Sequence, residues 1–320
     1  MENLIIIGAG FTAAALTRFL NEKDPLIIDK GRGAGGRCSS RRVEDIGVFD
    51  HGLQYVSSKN NDFIEFLKDG LKENLLSWNG EFYNEKNELN KSEKFIGKNG
   101  NNEFVKKILK SKNQIYKTKV EKLIFKNNHW QVILNGNKSI DTKKVIVTIP
   151  EEQCCDLLKD VYDIHYKNQT ISNLTLMVAI KNNKNTFSGK KIKDKEDVIS
   201  WIANENSKNR DLNNSSLSLY TVQSTEKFAE KNCSKYYSNK EIIMKEMLSR
   251  FLNILHIENP EVKYCSIHSW RLAYKKNNFS NKVIWDQKKG LGICGDWISG
   301  PKLENSWENS KKFSDIYNNS

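Results

Sequence analysis

The stretch Leu4 to Leu20, LIIIGAGFTAAALTRFL, sets a strand, a tight turn and a helix in immediate succession, and it narrows the possible folds more than any other part of the chain. Four branched apolar residues, Leu4 to Ile7, predict a strand buried on both faces, as in a parallel sheet. Gly8 and Gly10 allow the turn and a close backbone approach to a ligand. Ala13 to Leu20 carries apolar residues at helical spacing, so the free N–H groups and positive dipole end at Phe11, Thr12 and Ala13 face the glycines and suit a pyrophosphate. The third motif position is Ala13, which is small enough for the helix to pack on the strand. A second strand, Pro25 to Ile28, ends in Asp29 and Lys30, about 20 residues past the glycines, where a carboxylate can hold ribose hydroxyls. The pattern predicts an α/β fold with a Rossmann-like domain, and at this point NAD and FAD fit equally, since each carries an ADP half.

The next residues add a second glycine loop, KGRGAGGR, with Gly33, Gly35, Gly36 and Arg37, and then DHGLQYV with Gly52, Gln54 and Tyr55. A plain NAD domain has no need of such a loop ending in Arg. GAGFTA, DKGRGAGGR and DHGLQYV together resemble the flavin amine oxidase superfamily, and within it renalase and its bacterial relatives. The resemblance implies non-covalent FAD as cofactor. It implies that Arg37 forks onto a phosphate or sits beside the flavin, that Gln54 and Tyr55 lie by the ring, and that Val120, in TKVEKLIF, meets the adenine through its backbone.

The chain has 51 Lys and Arg against 39 Asp and Glu, a net charge of +12. The basic residues are scattered among acidic ones, with no Arg-rich or aromatic-interleaved stripe, so nucleic acid is not an expected partner. The first strand begins within a few residues of Met1, no apolar run reaches membrane-spanning length, and a cytoplasmic protein without a membrane partner is expected. The six cysteines show no C-x-x-C pair and no His at zinc-like spacing, so they read as reduced packing residues and no metal is expected.

No repeat or linker divides the chain. NDFIEFLKDGLKEN predicts an amphipathic helix with Phe63, Phe66, Leu67 and Leu71 on one face, and NNEFVKKILKSK a second helix. Between them WNGEFYNEKNELNKSEKFIG reads as short strands. Residues 115 to 150 give three strands with Asn-rich turns, a β-meander whose last strand, VIVTIP, rejoins the central sheet. LTLMVAI, SWIAN, LSLYTVQ and KYCSIHSWRLAY predict further strands, and NKEIIMKEMLSRFLNIL a helix. The expected architecture is an FAD-binding domain with a central parallel sheet and meander (1–75, 99–162 and 286–320) and an α+β substrate domain with a mixed or antiparallel sheet (76–98 and 163–285).

The closing segment GLGICGDWISGPKLENSWENS resembles the family's Gly-Asp return motif. Gly295 and Asp296 match it, and the resemblance places the start of the next helix, near Asn305 to Trp307, at the flavin ring. The chain has Asn305-Ser306 and Asn309-Ser310 where many relatives have smaller residues. SWIANENSKNR and IHSWRLAY are similar to bacterial renalase-like segments, which makes Trp201, Asn204, Ser207, Lys208, His268, Trp270 and Arg271 candidates for the pocket wall, with Trp201, Asn204, His268 and Trp270 nearest the chemistry. No Ser/His/Asp, paired-carboxylate or metal set competes with them. The implied activity is oxidation of dihydropyridine isomers of NAD(P)H, with oxygen as acceptor and hydrogen peroxide as product. Loss of hydride from ring C2 or C6 leaves an aromatic cation and needs no general base. Amine oxidation or desaturation of another small molecule, and flavin binding without turnover, are the alternatives.

Overall fold

Leu4 to Ile7 are almost wholly shielded from water in the computed structural model, as a central parallel strand requires. The structure describes residues 1–109, 113–164, 170–181, 186–193, 197–277, 279–280 and 282–320. The opening motif forms β1 (Glu2–Ile7), α1 (Phe11–Phe19) and β2 (Leu26–Ile28). A hairpin of β3 (Arg41–Val43) and β4 (Gly47–Phe49) follows, then α2 (Asn61–Leu71), β5 (Leu75–Ser77), β6 (Phe82–Tyr83), β7 (Phe95–Gly97) and a short α3 (Glu103–Lys106). After β8 (Gln114–Ile115) comes the meander β9 (Val120–Lys126), β10 (His129–Leu134) and β11 (Ser139–Val147), closed by α4 (Glu151–Leu158). The second domain holds β12 (Thr170–Lys181), β13 (Gly189–Lys191), β14 (Ile199–Asn204), β15 (Leu217–Ser224), α5 (Glu226–Cys233), α6 (Tyr236–Ile254) and β16 (Val262–Lys275). The chain returns through β17 (Ile284–Asp286), β18 (Leu291–Ile293) and α7 (Leu303–Asn318).

In the first sheet β18, β11, β1, β2 and β8 are parallel neighbours, β17 is an antiparallel edge, and β9 and β10 extend from β11. This is a Rossmann-like parallel sheet with an attached meander. α1 packs against α7, where Ser306, Ser310 and Ser314, one helical turn apart, are all buried. Their small side chains let the two helices approach, and Ser310 Oγ donates to Thr12 O at 3.3 Å.

The second sheet runs β16, β12, β15, β14, β13, β6 and is antiparallel except where β13 meets β6. The period of two along β12 separates its residues cleanly. Leu174, Leu176, Val178 and Ile180 pack with Phe228, Met247 and Phe251 of the covering helices, whereas Met177 and Ala179 pack with Phe49 of the first domain. The sheet is thus sandwiched between its own helices and the dinucleotide domain, and the site forms along that seam.

Several expectations need correction. The helix expected over residues 101 to 112 shrinks to α3, with Glu103 turned back onto Asn99 N and Nδ2, and residues 110–112 lie outside those described. α5 is an addition to the expected elements, and Thr225 caps it by accepting from Phe228 N at 3.2 Å. Trp285, expected in the substrate domain, lies in β17 and pairs with Gly292 of the first sheet.

Candidate active site

A cleft of about 2070 Å³ runs from the β1–α1 turn to the six-stranded sheet. That is roughly twice the upper end of an ordinary small-molecule pocket, about 1,000 Å³, and leaves room for a dinucleotide and a second molecule.

At its first end Gly8 has φ +104°, a conformation that favours glycine, while a side chain at Gly10 would meet nothing within 4 Å and point into open space. Gly10 caps α1 with no side-chain acceptor and no acidic residue stands in the first turn, so the helix N–H groups remain available to an anion. Asp29 accepts from Ala9 N at 2.7 Å and Gly31 N at 2.5 Å, which fixes its carboxylate beside the turn. The 115–118 segment is bound to the same place, through Asp29 N to Ile115 O and Thr118 N to Asp29 O, and this sets Val120 and Lys30 on the cleft wall. Gly36 and Gly35 lean on the first turn, with Gly35 N donating to Ala9 O at 3.0 Å.

Midway, Arg37 forks onto Asp296 at 2.7 and 2.6 Å and donates to Ala273 O at 3.0 Å. One guanidinium therefore ties the glycine loop to the return motif and to β16, instead of pointing a free fork into the cleft. Gly52 allows the next loop to close on it: an added Cβ would lie 2.1 Å from Arg37 O. Gln54 donates to Asp50 O and accepts from Trp201 Nε1 at 3.3 Å. Tyr55 stands 5.9 Å from the Trp201 ring and 6.0 Å from Trp78.

At the far end His51, His268 and Trp270 form one aromatic group, with ring centroids 4.5 to 5.3 Å apart, and Trp270 Nε1 donates to His51 O at 2.7 Å. Burial, together with the positive field of Arg41, lowers the His268 imidazole to about 4 and, with His268 as well, lowers His51 to about 3. Both rings are therefore neutral at pH 7. Two neutral imidazoles thus meet in the cleft, a pairing that the sequence does not display.

The cleft brings together Gly8, Gly10, Phe11, Thr12, Asp29, Lys30, Gly36, Arg37, Gln54, Tyr55, Val120, Trp201, His268, Trp270, Arg271 and Asp296. It does not include Ala13, which is buried against the sheet core, or Gly295. Asn305 is also outside it and donates to Ser299 O at 2.8 Å, although Leu303 and Ser306 of the same helix end line the wall. The larger residues of the return motif serve as ties, since Asn309 bridges Gly295 O at 2.9 Å and Ser299 Oγ at 2.9 Å.

Asn204, Ser207 and Lys208 are not on the wall. Asn204 accepts from Asn206 N at 3.1 Å in the turn after β14, and Ser207 accepts from Trp78 Nε1 at 2.9 Å. Lys208 is wholly buried, 2.7 Å from Asp50 and 2.9 Å from Glu205, with Arg210 2.7 and 3.3 Å from the same two carboxylates. Burial alone would raise the Asp50 carboxyl, and Arg210 and Lys208 outweigh it and hold it well below the usual range. This four-charge cluster fastens the DHGLQY loop to the second domain from behind. His51 and Arg41 are not legible in the sequence, because a single His in a loop or a single Arg in a three-residue strand carries no spacing signal.

The fold and this turn geometry define a two-domain protein built on a dinucleotide-type Rossmann domain. Residues 6–69 match the NAD(P)-binding Rossmann-like domain family. Over the whole chain the structure is similar to that of a protein assigned as a protoporphyrinogen oxidase from Exiguobacterium sp. 255-15 (TM-score 0.76, 10% identity, 99% of this chain and 98% of that one). It is also similar to reduced UDP-galactopyranose mutase (0.75, 9%, 100% and 96%) and to putrescine oxidase bound to putrescine (0.66, 10%, 100% and 99%). At such identities the likeness is one of fold. Among the described residues no helix is long and apolar enough to cross a membrane.

Proposed function

We propose that the chain is an FAD-dependent oxidoreductase of renalase-like type, which oxidises dihydropyridine isomers of NAD(P)H. The observation that carries this reading is the continuity of one cleft from an uncapped helix N-terminus and a fixed ribose-side carboxylate to a wall of Trp201, Trp270 and two imidazoles. The residues fit a flavin dinucleotide: the open space in front of Gly10 is what a pyrophosphate needs, and the second glycine loop lengthens the site beyond an ADP half.

In this reading the N–H groups of Phe11 and Thr12 bind the pyrophosphate, Asp29 holds ribose hydroxyls and Val120 borders the adenine. Arg37 keeps Asp296 oriented toward the cofactor's sugar-chain hydroxyls. Bound flavin would supply a two-electron acceptor. Gln54, fixed by Asp50 O and Trp201, and Tyr55 shape the ring end, while Trp201 and Trp270 give a flat wall for a nicotinamide. Overall, one hydride leaves ring C2 or C6 to give the aromatic cation, and with a solvent proton reduces oxygen to hydrogen peroxide.

The test is anaerobic mixing of the purified protein with 2- and 6-dihydro isomers of NAD(P)H, ordinary NADH and simple amines, while the visible spectrum is recorded. Rapid bleaching by an isomer, with FAD released on acid precipitation, is the expected result. Faster bleaching by NADH or an amine would move the assignment to a general oxidase or amine oxidase, and no bleaching by any of them to a flavin-binding protein without turnover.

A further inference from the structure

Tyr264, Ser266, His268 and Trp270 alternate along β16 and share one face, and three contacts across the seam fix what they meet. Tyr264 stacks on Phe49 at 5.5 Å, Ser266 Oγ accepts from Arg41 at 3.0 Å, and His268 and Trp270 pack on His51. Arg41 lines the cleft, and among the described residues its side chain has no carboxylate partner and one hydrogen-bond partner, Ser266. The His51 ring is buried, with 6% of the residue exposed, and its Nδ1 has no hydrogen-bond partner.

The charges around this group are one-sided. Arg41 and Lys240 act on His268, and the carboxylate that acts on His51, Asp50, is itself bound by Lys208 and Arg210. Of the carboxylates lining the cleft on this side, Glu85 pairs with Lys191, Glu226 takes Tyr274 and Lys276, and Glu230 is exposed on α5. An unpaired guanidinium flanked by neutral imidazoles that can donate N–H groups, beside a Trp face, is an arrangement for a flat anion.

We propose that Arg41, with His51 and His268, forms an oxyanion-binding subsite, so that the molecule taken at this end of the cleft joins a planar ring to an anionic group, a carboxylate or a phosphate such as a nucleotide carries, and is not a cation. The inference deepens the oxidoreductase reading by naming the charge class of its substrate, and it rests on that reading only for the reaction itself. The lowered imidazoles agree with the same positive field.

Calorimetric titration of the holoprotein with benzoate, phenyl phosphate, benzamide and benzylamine tests it without turnover. Benzoate or phenyl phosphate should bind at least about tenfold more tightly than benzamide, with benzylamine weakest, since charge-assisted bonds to a guanidinium are worth that much. Whichever of the two anions binds more tightly identifies the carboxylate or the phosphate. Arg41→Gln should bring both anions to within about threefold of benzamide and leave benzamide unchanged, while Arg41→Lys should keep part of the preference. The proposal is overturned if wild-type protein binds benzamide or benzylamine as tightly as both anions, a result that does not depend on any variant folding. It is equally overturned if a folded Arg41→Gln protein keeps the anion preference. Acid release of FAD from the same preparation reports separately on the flavin reading.

Discussion

At one end of the cleft the groups on offer are peptide N–H donors and one carboxylate, drawn from a single strand–helix–strand unit: Gly8 to Thr12, Asp29 and Gly31. At the other end they are side chains that come from β3, the DHGLQY loop, β14 and β16, more than two hundred residues apart. The first end is shaped by local backbone conformation and survives as long as the turn does. The second exists only while two domains are held in register, and the buried cluster of Asp50, Glu205, Lys208 and Arg210 is the fastening that does so.

The most severe way to break that comparison is to remove the fastening. Asp50→Ala leaves Lys208 and Arg210 sharing Glu205 alone in a wholly buried site, and should lower the stability by about 3–5 kcal/mol. A guanidinium unfolding midpoint close to that of the native chain would show that the cluster does not join the domains.

The backbone-built end is probed by filling it. Gly10→Val puts atoms into the open space before α1, and FAD affinity should fall by at least about tenfold, ~1.4 kcal/mol. Folding stability should fall by no more than about 1 kcal/mol, the effect of a poorer helix cap. Unchanged FAD content after dialysis would remove this turn from the cofactor site.

The same contrast explains what could be seen in the sequence. The strand, turn, helix and Asp29 were legible because each feature is contiguous and governed by a short-range rule, and so were the meander and the longer strands of the second sheet, which show as apolar runs such as LTLMVAI. Trp201, His268 and Trp270 were picked out by resemblance. Lys208 was picked out in the same way and turned out to lie behind the wall, because sequence similarity does not record which side of a strand's turn faces the cleft. Arg41 and His51 were missed because their meaning lies in Ser266, His268 and Trp270, far along the chain.

A pH titration sharpens the side-chain-built end. His51 is held at about 3 in the folded protein against an ordinary value of 6.5, so the unfolded chain binds more protons between these values. The contribution of this residue is therefore fully present above pH 6.5 and declines as the pH falls below it, by up to about 1.4 kcal/mol per pH unit. Asp50 does not interfere above about pH 4.5, since its own contribution is lost only below the ordinary carboxylate value of 3.8. Unfolding followed at several pH values from 7 to 4.5 should show this slope, to which His268, lowered to about 4, adds in the same direction, and His51→Gln should reduce it without abolishing it. An unaltered slope in the variant would assign the acid sensitivity elsewhere.

The smallest effect is reserved for Asn204, which ends β14 behind the cleft wall. Its Oδ1 accepts from Asn206 N at 3.1 Å and its N donates to Ser188 O at 2.9 Å, so it shapes the turn that delivers Glu205 and Lys208 into the buried cluster. Asn204→Ala removes one capping acceptor and should cost about 1 kcal/mol of stability. Benzoate affinity, measured by the same calorimetry, should stay within about twofold, because the residue does not line the cleft while Trp201, three positions earlier, does. If Asn204→Ala weakens ligand binding by tenfold with stability unchanged, the wall of the substrate end extends past Trp201, and the division between side chains that face the cleft and side chains that hold the domains together would have to be redrawn there.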